Sequence, residues 1–198
     1  MSYIYGTIGS DTIDGTEEND TIYGWPTGGD ITSLSGNDTL NGLAGNDYLN
    51  GGTGNNSLNG GAGDDTLGGD NGIDALSGGD GNDSLSGGDG IDALSGGNGN
   101  DDLFGGNGND TLFGGNGFNR LTGGAGSDVF SLSTGTGFDT ITDFNLGSGD
   151  RIGLSSSLKF SDLTISGVGR NTVISFGNDE LAILRNVSSA SITGAAFA

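Results

Sequence analysis

The sequence predicts an all-β fold: a right-handed parallel β-roll, a β-solenoid with two nine-residue phrases to the coil, closed by a C-terminal β cap. Three observations lead there. A nine-residue phrase, Gly-x-Asp-x-Leu followed mostly by Gly-Gly, keeps register without insertion or deletion from residue 36 to residue 130. Glycine fills 45 of 198 positions, and two or three in every phrase exclude helix at roughly 1 kcal/mol each against alanine. Residues 72–89 (GIDALSGGDGNDSLSGGD) are nearly repeated at 90–107 (GIDALSGGNGNDDLFGGN), so two phrases make one structural unit.

Residues 1–35 read as degenerate N-terminal coils. Ile4, Ile13, Ile22 and Ile31 extend the apolar register backwards in steps of nine, and Asp11 and Asp20 extend the acid register. The pattern breaks at 24–30 (GWPTGGD), where Asp30 comes one place late. Pro26 lacks a donor for a ladder and suits an edge or loop; Trp25 reads as a hydrophobic cover for the coil end.

Residues 36–130 are the regular coil. The acid slot holds Asp38, Asp47, Asn56, Asp65, Asp74, Asp83, Asp92, Asp101, Asp110, Asn119 and Asp128. The apolar slot holds Leu40, Leu49, Leu58, Leu67, Leu76, Leu85, Leu94, Leu103, Leu112, Leu121 and Phe130. The three residues about each Leu predict a short strand, and the glycine-rich remainder a turn, because glycine reaches positive φ freely. Alternating strand and turn coils the chain. Each strand then stacks in parallel on the one two phrases later, about 4.8 Å away. Leu76, Leu94 and Leu112 face Leu85, Leu103 and Leu121 from opposite sheets. Phe104 and Phe113, beside the cap, are expected to pack against it.

Residues 131–198 read as a conventional β cap that blocks edge pairing. Segments 160–165, 172–176 and 181–184 carry strand patterns, with turns at 167–169 and 177–178.

Charge asks for a cation. Residues 1–130 hold 20 acids against one base, Arg120, a net of −19; the remainder carries −2 of the total of −21. Acids in one column sit a strand spacing apart and repel by roughly 3 kcal/mol per adjacent pair at an effective dielectric near 20. Carboxylates and turn carbonyls are hard oxygen ligands, which suits Ca²⁺ with its loose coordination better than Mg²⁺. The chain has no His and no Cys to recruit zinc or copper. About eight or nine Ca²⁺ would nearly cancel the charge of the coil.

The phrase resembles Gly-Gly-x-Gly-x-Asp-x-U-x, the nonapeptide of the RTX (haemolysin-type) calcium-binding proteins. That resemblance implies a parallel β-roll with ions held between turns one full coil apart. It implies one ligand row of Asp38, Asp74, Asp92, Asp110 and Asp128 and another of Asp47, Asp65, Asp83 and Asp101, with Asn56 and Asn119 as weaker sites. Carbonyl ligands would come from the pairs Gly60 and Gly61, Gly78 and Gly79, Gly87 and Gly88, Gly96 and Gly97, Gly105 and Gly106, Gly114 and Gly115, and Gly123 and Gly124. Others would come from the glycines that open the phrases: Gly45, Gly54, Gly63, Gly72, Gly81, Gly90, Gly99, Gly108, Gly117 and Gly126. Residues 137–144 and 149–155 resemble the segment that closes the roll in serralysin-type proteases and mannuronan epimerase calcium modules. Asp139, Asp143 and Asp150 are candidates for a last ion, and Asp11 and Asp20 for weak N-terminal ones. The tail, 188–198, resembles in position the C-terminal export signal of type I secreted members.

No enzyme is expected. Without His or Cys the usual nucleophile–base arrangements are missing, and paired acids such as Glu17–Glu18 and Asp101–Asp102 read as turn ligands or solvated charge. A net charge of −21 weighs against nucleic acid. No stretch reads as a membrane span or as an N-terminal signal peptide. The leading expectation is a secreted module that folds on meeting extracellular Ca²⁺, as a monomer or associating end to end. The alternatives are a calcium-dependent module for an extracellular, alginate-like polysaccharide and a self-assembling cell-surface protein.

Overall fold

A computed structural model describes residues 2–7, 9–24 and 36–198. The chain winds as a parallel β-solenoid whose successive strands alternate between two sheets. The first sheet holds β1 (Tyr3–Tyr5), β3 (Thr21–Tyr23), β5 (Tyr48–Asn50), β7 (Thr66–Gly72), β9 (Ser84–Gly90), β11 (Asp102–Asn107) and β14 (Gly137–Ile141). The second holds β2 (Thr12–Asp14), β4 (Thr39–Ala44), β6 (Ser57–Ala62), β8 (Ala75–Asp80), β10 (Ala93–Asn98), β13 (Val129–Leu132) and β15 (Arg151–Leu154). The 15-residue β12 (Thr111–Ala125) bends through a turn and contributes to both.

The predicted stacking is present. Leu76 pairs with Leu94 and Leu94 with Leu112 on one sheet; Leu85 pairs with Leu103 and Leu103 with Leu121 on the other. The Leu of every phrase is at most 3% exposed, and its two neighbours face outward. The core is thus one side chain thick from each sheet, worth roughly 1.5–3 kcal/mol per Leu.

From β6 to β11 the strands run six or seven residues and continue through the glycine-pair slot, rather than the predicted three around Leu, a length that β5 keeps. The pairs stack in register, as in Gly79 with Gly97 and Gly97 with Gly115, so the ladder continues past the last side chain. The second glycine of each pair turns the chain: Gly97 has φ +116°, and a Cβ there would collide with the Gly79 carbonyl of the preceding coil. Asp70 takes the same slot with φ 71°, a conformation uncommon for a residue with a side chain.

Two expectations need correction. The N-terminal register does not continue in unbroken steps of nine. Ile4 stacks on Ile22, two phrases on, but Ile13 stacks on Leu40 and Ile22 on Leu49, each three phrases on. Trp25, Pro26, Asp30 and Ile31 lie outside the described residues. Phe104 does not pack on the cap; it pairs in register with Ser86 and Thr122 and stays 47% exposed.

The C-terminal end is closed twice. Strands β16 (Leu163–Val168), β17 (Asn171–Phe176) and β18 (Asp179–Leu184) form an antiparallel meander whose last strand pairs in parallel with β14 through Ile141 and Leu184. A 3-10 turn at Phe160–Asp162 takes the first residues of the predicted 160–165 strand. The tail covers the second sheet: Ala198 N–H donates to the Ile152 carbonyl at 3.0 Å, and the Phe197 ring lies 4.7 Å from that of Phe160. At the other end β1 and β2 each pair on one side only among the described residues, where Tyr5, Tyr23 and Tyr48 stack on the outward face. No helix among the described residues is long and apolar enough to cross a membrane.

Candidate metal centre

The turns bring the acid slots into two columns. In each regular turn the Asp N–H donates to Oδ1 of the acid-slot residue of the next coil: Asp65 to Asp83 at 2.8 Å, Asp74 to Asp92 at 2.8 Å, Asp83 to Asp101 at 2.9 Å and Asp92 to Asp110 at 2.9 Å. One column runs Asp38, Asn56, Asp74, Asp92, Asp110, Asp128 and on to Asp150; the other runs Asp47, Asp65, Asp83, Asp101 and Asn119. Asp11 and Asp20 join these columns across the longer step, their N–H groups donating to Asp38 and Asp47.

Only one oxygen of each carboxylate is used. Oδ2 of Asp38, Asp47, Asp65, Asp74, Asp83, Asp92, Asp101 and Asp110 is buried and has no hydrogen-bond partner among the described residues. Leaving a charged acceptor buried and unsatisfied costs more than the roughly 1–3 kcal/mol of a neutral group, so eight such oxygens in register call for positive charge.

The space each oxygen faces is a cradle of backbone. At Asp83, Oδ2 points at the bare face of Gly78, whose missing Cβ would run into that oxygen and lie 2.6 Å from the Gly96 carbonyl of the next coil. The same trio recurs at Asp65 (Gly60 and the Gly78 carbonyl), Asp74 (Gly69, Gly87), Asp92 (Gly87, Gly105), Asp101 (Gly96, Gly114) and Asp110 (Gly105, Gly123). Each cradle thus presents a carboxylate oxygen and a carbonyl oxygen, hard donors that fit Ca²⁺. No three acidic side chains converge on one point among the described residues, so a bound ion would depend on carbonyls as well as carboxylates. The first glycine of each pair supplies the carbonyl that borders a cradle. Carbonyls of the second glycines and of the opening glycines, such as Gly79 and Gly81, lie against the matching glycine of the next coil. The Gly78→Ala variant is therefore expected to lose one ion and to melt lower at saturating Ca²⁺, a result that ion counting with thermal unfolding would read.

Burial disfavours the charge in the absence of a cation. It pushes Asp65 up to about 7 and Asp74, Asp101, Asp128 and Asp139 to about 6, with repulsion from column neighbours adding to the effect. Asp38, Asp47, Asp83, Asp92 and Asp110 are raised for the same first reason.

Other turns are satisfied by the protein. Asn56 Oδ1 accepts the Asp38 N–H at 2.9 Å, which fixes the amide so that Nδ2 faces Gly51 and donates to the Gly54 carbonyl at 3.1 Å. Asn119 Oδ1 likewise accepts the Asp101 N–H, and its Nδ2 donates to Asp139 Oδ1 at 2.9 Å. In the N-terminal coils Thr7 and Thr16 stand where the second glycine would be. The Thr16 N–H and hydroxyl both donate to Asp20 Oδ2 at 2.7 Å, holding its carboxyl below the usual range, and the Thr7 N–H and hydroxyl donate to Asp11 Oδ2. Asp143 accepts from the Gly123 and Gly124 N–H groups, and Asp150 from those of Asp128 and Asn145. Sequence reasoning passed over Thr7 and Thr16; the signal was a hydroxyl in the second-glycine slot, four residues before an acid.

The pattern described as the RTX calcium-binding nonapeptide repeat matches this chain in four copies, over residues 5–26, 32–67, 68–103 and 104–141. The chain belongs to this family. Among solved structures, the chain resembles the extracellular lipase LipA from Serratia marcescens, with a TM-score of 0.50 and 21% identity over 98% of this chain and 39% of the lipase. That likeness concerns the fold, and the chain spans about two fifths of the lipase's length. A weaker match, with a TM-score of 0.27, is the R3 subunit of a mannuronan C5-epimerase from Azotobacter vinelandii, at 19% identity over 96% of this chain and 78% of that one. No curated protein matches the sequence. The RTX repeat thus accounts for the calcium-binding character read from the columns of aspartate, and the parallel roll is its scaffold.

Proposed function

We propose that this RTX roll is a non-enzymatic module whose folding is completed by Ca²⁺. Its calcium-free chain is held open by its own carboxylates, and it becomes a rigid rod in the calcium of an extracellular medium, after export by a type I route. The observation that carries the reading is the set of eight buried, unpartnered Oδ2 atoms, lined in the regular turns by a glycine cradle and a carbonyl of the next coil. When bound, the ion supplies positive charge between stacked turns. The protein's part is to align the oxygens, to exclude bulk water through burial and to tie each Oδ1 to the preceding coil. Because such a site is assembled only in the folded chain, its binding free energy is folding free energy.

The proposal sets a stoichiometry of about eight ions, one per orphaned oxygen. Native mass spectrometry at millimolar Ca²⁺ tests it. A folded chain carrying two or three ions would show that most cradles are not sites, and a folded chain carrying none would remove the reading altogether.

A further inference from the structure

Eight turns leave a carboxylate oxygen orphaned, and among the turns that do not, four share one device. At Asn56 and Asn119 an amide Nδ2 points to the place that Oδ2 takes elsewhere. Its orientation is forced, because the amide oxygen already accepts a backbone N–H from the preceding coil. At Asp11 and Asp20 the acid is kept, but a threonine N–H and hydroxyl turn to its Oδ2. In each case a hydrogen-bond donor either replaces the oxygen that would hold a cation, as at Asn56 and Asn119, or occupies that oxygen, as at Asp11 and Asp20. A donor cannot coordinate a cation, and its partial positive charge repels one.

We propose that Thr7, Thr16, Asn56 and Asn119 are built-in latches that replace calcium in four cradles. Ion binding is confined to the turns whose Oδ2 meets no donor, with one interruption at Asn56, while the N-terminal coils and the Asn119 turn are closed by the protein's own donors. Asn119 also ties the last full coil to β14 through Asp139, so the junction with the cap needs no metal. This replaces the expectation that Asn56 and Asn119 are weak calcium sites, and it rests on the reading that the orphaned oxygens hold calcium. The latches set where along the roll calcium acts: the ends keep their turns whatever the calcium level, and the middle answers to it.

Exchanging donor for acceptor tests this by ion counting on the full chain at saturating Ca²⁺. Asn56→Asp, Asn119→Asp and Thr16→Gly should each bind one ion more than wild type, and the double variant Asn56→Asp/Asn119→Asp two more. Asp83→Asn should bind one fewer while keeping its far-UV spectrum. Folded Asp variants that gain no ion would overturn the proposal. Should an Asp variant fail to fold, Asn56→Ala and Asn119→Ala decide: an unchanged ion count supports the latch, and the loss of an ion shows that the amide had been a ligand. Wild type that binds no ion at all defeats the calcium reading itself, an outcome distinct from wild type that binds ions while the variants match it.

Discussion

Excess chelator at neutral pH should remove most of the far-UV strand signal of the roll, leaving that of its latched ends, and adding back Ca²⁺ should restore it in a steep, cooperative transition. The expectation follows from what holds neighbouring coils together. Apart from the backbone ladder, a coil contributes two leucines and stacks its acids on those of the next. The core stabilises by roughly 1.5–3 kcal/mol per Leu, whereas each adjacent pair of charged aspartates opposes it by roughly 3 kcal/mol at an effective dielectric near 20. Two leucines and two like-charge contacts per coil are therefore close to balance before any conformational entropy is counted. Ions placed between coils turn each repulsive contact into two attractive ones, and each coil presents a site to the next, hence the cooperativity. Circular dichroism with a calcium titration reads this directly. A spectrum that keeps its strand signal in excess chelator at neutral pH would show that the ladder and leucines suffice, and the metal would then be an ornament of a stable fold.

Acidifying the metal-free chain should fold it, and acidifying the calcium-loaded chain should strip it. Burial raises the column aspartates in the folded, metal-free roll: Asp65 to about 7, and Asp74, Asp101 and Asp128 to about 6, against an ordinary 3.8 when unfolded. Between those values the folded state binds more protons than the unfolded one, so metal-free stability rises as pH falls from about 7 towards 3.8 and is lost again as pH climbs back through the folded values. Protons stand in for calcium by removing the charge that calcium neutralises. The same groups must be ionised to bind the metal, so calcium affinity should weaken progressively below about pH 7. Two pH titrations, one in chelator and one in fixed Ca²⁺ with ion counting, should cross in sense. A metal-free chain that is equally unfolded above the raised values and just above the ordinary one would contradict the burial of these acids.

Much of the architecture can be read from the chain before any coordinates. The period, the stacking partners one coil apart and the two acid columns follow from a pattern without a slip, because the register of a solenoid is set by phrase length alone. Strand length is not readable in the same way. Glycine pairs look like turn, yet in-register stacking against identical pairs lets them continue the ladder past the leucines. Nor does the pattern disclose the three-phrase step at the N-terminal coils, since the intervening phrase keeps Ile31 in apolar register. In the metal columns the acids are legible by type, but which oxygen each one leaves bare is not. That depends on whether Oδ1 is taken by the preceding coil and on whether a neighbour such as Thr16 has a proton to offer, both products of the folded path. Phe104 is misplaced by sequence reasoning because its nearness to the cap along the chain does not bring it near in space.

The narrowness of the stack at the second glycines bears on how such a chain can change over time. With a Cβ at Gly97 meeting the carbonyl of Gly79 and one at Gly106 meeting that of Gly88, point substitution at this slot in the regular coils is strained and rare, Leu43 and Asp70 being the exceptions. Copying an entire rung meets no such obstacle, since a duplicated unit arrives with its partners already matched. The near identity of 72–89 and 90–107 is the trace that unequal recombination would leave, and rolls of this kind should lengthen or shorten by whole rungs more readily than they diverge within one.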